Sequence, residues 1–186
     1  GGTPPAVAER LLKLVGRSTR VYGLSIRGAG VSDISALEGL PIRSLNMAYN
    51  RVDDLSPLKG MPLKLLLLQD NEVSDLSPLA GSKLEHLNIA GNDVSDISPL
   101  RGLPLQALTA SSNPIEDISA LAGMSLIDLR IGNTRVASLE PLRGMHSLRR
   151  LSAPGSSVTD LGPLEGLELL RLDVQHTKVS SIEPLK

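Results

Sequence analysis

The stretch Leu63-Lys64-Leu65-Leu66-Leu67-Leu68-Gln69-Asp70-Asn71 decides the fold. Four consecutive leucines cannot all enter one core from a strand, because successive strand side chains face opposite ways. The surrounding sequence settles which two face in. Asp33, Asp54, Asp75, Asp96, Asp117 and Asp160 recur on a frame of 21 residues, with Ser138 and Ser181 in the two remaining places. One extra residue falls near Met145-His146-Ser147. The unit reads L-x-x-L-x-L-x-x-N-x-V-x-D-[IL]-S-P-L-x-G-[LM]-P, and its eight copies begin at Val21, Ile42, Leu63, Leu84, Leu105, Leu126, Leu148 and Leu169. Such a period is the mark of a solenoid, in which each unit buries its apolar face against its neighbours.

Within each unit L-x-L is a short strand, and stacked copies form a parallel sheet with the frame leucines beneath it. Leu66 and Leu68 occupy the frame and point inward. Leu65 and Leu67 point outward. The Asn column, Asn50, Asn71, Asn92 and Asn113, suits a buried turn, where an amide both donates and accepts. Thr134, Ser156 and Thr177 replace it later, and Ala29 stands there in the first copy. Ser56 before Pro57 reads as an N-cap with proline at the first helical position, and Gly60 ends the turn. Too few residues remain for a long helix, so the convex side should carry 3₁₀ turns.

Runs such as Leu84-x-x-Leu87-x-Ile89-x-x-Asn92-x-Val94 resemble the leucine-rich-repeat family over residues 21–186, in particular its short internalin-type bacterial subclass. Leu55 to Leu66 also resembles arrays in large bacterial multidomain proteins, some with Ser/Thr kinase domains. The fold expected is an α/β-type solenoid, mainly β. It is a right-handed superhelix with a concave parallel sheet, convex 3₁₀ turns and an N-terminal capping helix. Residues 1–20 are assigned to that cap and a linker, because Val7, Leu11, Leu14 and Val15 have helical spacing between Pro4-Pro5 and Gly16. Residues 21–186 are the eight repeats, read as a fragment of a longer chain.

Composition narrows the function. The 186 residues are 41% hydrophobic, with two tyrosines and no Phe or Trp, so the core is aliphatic. Nineteen basic against 20 acidic residues leave a net charge of −1, which argues against a nucleic-acid or anionic-membrane binder. No run approaches the roughly 18 apolar residues of a membrane helix. With no cysteine there is no disulfide framework, and a reducing compartment such as the cytoplasm is permitted.

The Asp column invites a calcium ladder, since stacked strands lie ~4.8 Å apart. Its variation argues otherwise. Asp and Ser interchange at one position, as they can in accepting a backbone N–H but not as calcium ligands. His86, His146 and His176 lie in separate repeats and cannot converge on one ion. No G-x-S-x-G elbow, GxxxxGK[ST] loop or nucleophile–base pairing occurs. No catalytic residue, metal or cofactor is therefore assigned.

What remains is the outward lining of the sheet, at the third, fifth and seventh positions of each unit. Most of it is small or polar. Leu65 and Leu67 interrupt it, and Tyr49 at the adjacent turn extends the patch toward His86 and Asn88. These leucines are either tolerated on a β surface or a contact anchor. Near the C-terminal end Arg130, Arg150 and Arg171 lie with Asp128 and Asp173. They form either a solvated ion-pair network or a recognition site for an acidic or phosphorylated segment. The function expected is recognition of a protein or peptide, or of another domain of the parent chain. The alternatives are a structural or autoregulatory arm in a bacterial signalling protein and, as the resemblance implies, a surface adhesin.

Overall fold

The computed structural model describes residues 22–186. The helix expected over 4–16, and Val21 at the head of the first repeat, lie outside the described residues. Each repeat gives one three-residue strand: β1 (Gly23–Ser25), β2 (Ser44–Asn46), β3 (Leu65–Leu67), β4 (His86–Asn88), β5 (Ala107–Thr109), β6 (Asp128–Arg130), β7 (Arg150–Ser152) and β8 (Arg171–Asp173). They form a single parallel sheet in chain order. The register never slips: Leu24, Leu45, Leu66, Leu87, Leu108, Leu129, Leu151 and Leu172 stand in one line across it. Backbone bonds carry the ladder past the strands, as from Met47 N–H to Leu67 C=O at 2.9 Å and from Glu72 N–H to Val52 C=O at 3.0 Å.

The frame residues make one continuous aliphatic core. Leu45, Leu66, Leu68, Leu84 and Leu108 are fully buried, each such burial contributing roughly 1.5–3 kcal/mol. In the eighth repeat Leu169, Leu172, Val174 and Val179 are only partly buried.

The return path on the convex side is a three-residue 3₁₀ turn in every repeat, such as Ser56–Leu58, Ser77–Leu79 and Ser98–Leu100. The residue that starts it differs from the sequence expectation. Ser56 lies inside the turn, and the position before it is Leu55. The cap belongs to Asp54, whose Oδ1 accepts from Ser56 N–H at 2.7 Å, while Ser56 Oγ donates to Asp54 Oδ2 at 2.8 Å. A carboxylate two residues ahead reaches the first amide with better geometry than the serine's own short side chain. Gly60, at φ +75°, closes the turn in a region that glycine enters without strain.

The Asn column binds one repeat to the next. Asn92 Oδ1 accepts from Val73 N–H at 3.0 Å, and Asn92 Nδ2 donates to the carbonyls of Leu68 and Ile89, both at 3.0 Å. Asn50, Asn71 and Asn113 repeat the pattern.

Candidate functional site

The sheet register brings four of the sequence-predicted residues into one block. Leu65 is paired with Ser44 on one side and His86 on the other, and Leu67 lies between Asn46 and Asn88. Leu66 and Leu68 are fully buried, while Leu65 and Leu67 are half-buried and His86 is exposed. The two outward leucines sit low, between side chains of both neighbouring strands, so the patch is a shallow apolar floor. Asn46 and Asn88 border it. Their Oδ1 atoms accept from Ala48 N–H at 3.2 Å and Ala90 N–H at 3.0 Å. That leaves each amide –NH₂ as a donor with no protein acceptor among the described residues.

Tyr49 does not extend this block. It sits at φ 59° and is 48% exposed, and the Arg27 guanidinium lies 4.6 Å from its ring centroid. His86 is two strands and five residue positions away, roughly 19 Å from the strand and residue spacings. The same turn position holds Gly28, Asp70, Gly91, Ser112, Asn133, Gly155 and His176, all left-handed. A bulky aromatic there costs on the order of 1–2 kcal/mol, which a cation–π contact of about 0.5–1 kcal/mol partly offsets. Arg43 lies 5.5 Å from the Tyr22 ring centroid in the same manner. The signal for both pairs was an arginine about one repeat away from a tyrosine.

The C-terminal cluster is organised around Asp128. Only 8% of this residue is exposed. Its Oδ1 accepts from Arg130 Nε at 3.2 Å, and its Oδ2 from Arg130 Nη2 at 3.2 Å and Arg150 Nε at 2.7 Å. Burial pushes the carboxyl up, but the two guanidinium groups more than cancel that and hold it below the usual carboxylate value. Asp128 in turn raises Arg130. Arg171 and Asp173 stand apart from this network. Arg171 is the Cα partner of Arg150, and among the described residues it makes no ion pair. Asp173 faces Ser152 and accepts from Gln175 N–H at 3.2 Å.

The Asp column is spent on backbone. Asp33, Asp54, Asp75, Asp96, Asp117 and Asp160 each accept the N–H two residues ahead at 2.7–2.8 Å. Ser138 and Ser181 do the same through Oγ, toward Glu140 and Glu183 at 3.2 Å. That is the acceptor role their interchange implied. The N–H bonds lower the carboxyls of Asp33, Asp75 and Asp117, with the serine hydroxyls adding to the effect. Arg149 pairs with Glu168 at 3.1 Å.

No protein-family model matches the sequence, and no curated protein matches it. Solved structures do. An internalin C2 from Listeria monocytogenes is 30% identical over 98% of this chain and 88% of its own, with a TM-score of 0.91. An internalin (inlF) from the same organism is 30% identical over 83% of this chain and 54% of its own, with a TM-score of 0.67. The ectodomain of the Arabidopsis thaliana receptor kinase GASSHO1/SCHENGEN3 shares the fold at 21% identity, over 83% of this chain and 21% of its own, with a TM-score of 0.67.

Proposed function

The chain belongs to the internalin-type leucine-rich-repeat family, and we propose that its concave sheet is a protein-recognition surface. The carrying observation is the contrast between fixed and free positions. The inward strand columns are apolar, the buried turn column is Asn, Thr or Ser from the second repeat on, and every convex turn repeats one chemistry, whereas the outward columns vary from Gly23 through Leu65 and His86 to Arg171. Across these eight strands the lining spans roughly 34 Å at ~4.8 Å per step, enough for an interface of about 800 Å² per partner. Because the sheet is preformed by its ladder and Asn bonds, docking orders few groups, which favours affinity. The plant ectodomain of the same fold was solved in complex with CASPARIAN STRIP INTEGRITY FACTOR 2, which supports the reading.

Leu65, Leu67, His86 and Asn88 are the first contact block, and Arg130, Arg150 and Arg171 with Asp128 and Asp173 the second. Tyr49, stacked with Arg27, is a separate contact at the neighbouring turn. The test is a displayed peptide library selected on the intact chain, with the binders re-measured on two variants. Leu65→Thr with Leu67→Thr keeps β propensity and should lower the melting temperature by less than about 5 °C. Binders should weaken at least about tenfold on it, equivalent to about 1.4 kcal/mol. Arg101→Glu, on the convex side, should leave them unchanged. Binders that tolerate the double variant and fail on Arg101→Glu would place recognition on the convex face and overturn the proposal.

A further inference from the structure

The concave lining is more basic than the chain. Its three columns hold Arg27, Arg130, Arg150 and Arg171 against Asp128 and Asp173, with no lysine or glutamate, in a chain of net charge −1. Three of those arginines lie on β6, β7 and β8. Asp128 fixes Arg150 through Nε alone, at 2.7 Å. Both terminal amino groups of Arg150 therefore remain donors without an acceptor among the described residues. Arg171 stands directly opposite on the next strand and has no carboxylate within ion-pair distance among the described residues. Like charges facing each other across a ladder repel. A shared anion relieves that repulsion, and a planar carboxylate fits the guanidinium fork.

Four strands away, Leu65 and Leu67 offer the apolar floor. Between them the lining is low at β5, where Ala107 and Thr109 are half-buried, with exposed His86 on β4 and Arg130 on β6 to either side. We infer that the concave face binds an extended acidic peptide segment laid across the strands. One aliphatic side chain rests over Leu65 and Leu67, and one carboxylate side chain sits between Arg150 and Arg171. The inference rests on the recognition reading above and adds the chemistry and spacing of the partner. From β3 to β7 or β8 is four to five strand steps, ~19–24 Å. At ~3.4 Å per extended residue the two anchors lie roughly six or seven residues apart. A carboxylate is favoured over a phosphate by charge. Arg130, Arg150 and Arg171 against Asp128 and Asp173 leave one net positive charge, which a monoanion neutralises. A phosphoryl group, at about −1.5 to −2, exceeds it.

The probe is a set of synthetic peptides with a Gly/Ser/Thr background, one Leu and one Glu, separated by three to ten positions. Binding to the intact chain is read by fluorescence anisotropy. Affinity should peak at a spacing of six or seven, at least about fivefold above a spacing of three. Glu→Gln in the best peptide should cost about tenfold, and phosphoserine in place of Glu should bind less tightly than Glu. Arg150→Gln with Arg171→Gln should cost the Glu peptide about tenfold and the Gln peptide almost nothing, with circular dichroism confirming the fold. Tighter binding of phosphoserine, indifference to spacing, indifference to the arginines, or no binding by any peptide up to millimolar concentration each overturns the inference. If the arginines are irrelevant while Leu65→Thr with Leu67→Thr still weakens library binders, the recognition surface stands and only the acidic register falls.

Discussion

Repeats two to five and repeats six to eight share one backbone but are joined differently. In the first group a buried asparagine reaches into the preceding repeat, accepting the N–H of Val31, Val52, Val73 or Val94 and donating to Ile26, Met47, Leu68 or Ile89. In the second group Thr134, Ser156 and Thr177 bond only within their own repeat, to the carbonyls of Ile131, Ala153 and Val174 at 2.7 Å. A hydroxyl is too short to span the step. The lining changes at about the same place, from residues that are small, apolar or polar, with no Asp, Glu, Lys or Arg among them, to Asp128, Arg130, Arg150 and Arg171. In a solenoid, stability is a sum of unit and neighbour-interface contributions. The two halves of this molecule therefore differ in the interface contribution while keeping the same core frame.

The largest test of that contrast is Asn92→Ala against Ser156→Ala. The first orphans Val73 N–H in a buried turn and removes one of two donors from the Leu68 and Ile89 carbonyls, which keep Asn71 and Asn113. The orphaned N–H costs about 1–3 kcal/mol and each lost carbonyl bond up to about 1 kcal/mol, so a loss of about 3 kcal/mol is expected. The second removes a single bond and should cost about 1 kcal/mol. In melting temperature these are falls of roughly 6–12 °C and 2–4 °C. Equal losses in thermal denaturation would show that the asparagine stitches add nothing over a hydroxyl.

A smaller effect sharpens the contrast from the other side. Thr134→Asn should restore a bridge to the Ile115 N–H and gain about 1 kcal/mol. The Ile115 amide should then exchange its hydrogen more slowly, because opening of that rung is local. Unchanged exchange at Ile115 would mean that the sixth turn has no room for the amide, and that its threonine reflects shape.

Most of this architecture was legible in the sequence, because a solenoid writes the same contacts many times. The 21-residue frame identified Leu66 and Leu68 as inward and Leu65 and Leu67 as outward. The exchange of Asp for Ser revealed the acceptor role at Asp54 and Ser138. The misses share one cause: each depends on several bodies meeting at once. Ser56 looks like a cap until Asp54, two residues earlier, competes for the same amide. Tyr49 looks like a neighbour of His86 until Arg27 claims its ring. Asp128 occupies an outward position and still becomes buried, because Arg130 and Arg150 converge on it from two strands, with apolar stems that can cover it. The pattern of one strand carries no trace of that.

Acid separates the halves by the smallest effect. Asp75 and Asp128 both titrate below the ordinary carboxylate value, Asp75 through the backbone N–H of Ser77 and then its hydroxyl, Asp128 through Arg130 and Arg150 against the penalty of burial. A depressed carboxyl contributes stability that is fully present above its unfolded pKa, near 4, and is lost as pH falls through the folded value. The destabilisation by Asp128→Asn should therefore be about 0.5–1 kcal/mol near neutral pH and shrink below pH ~4. Salt tells the two causes apart, since it screens the guanidinium charges but leaves a local N–H bond in place. Carboxyl-carbon NMR titrations at about 0.02 M and about 0.5 M salt should find Asp128 moving up toward the ordinary value and Asp75 nearly still. If both move together, charge rather than the turn amide also governs the Asp column, and the distinction between the stitched repeats and the arginine-lined repeats loses its electrostatic half.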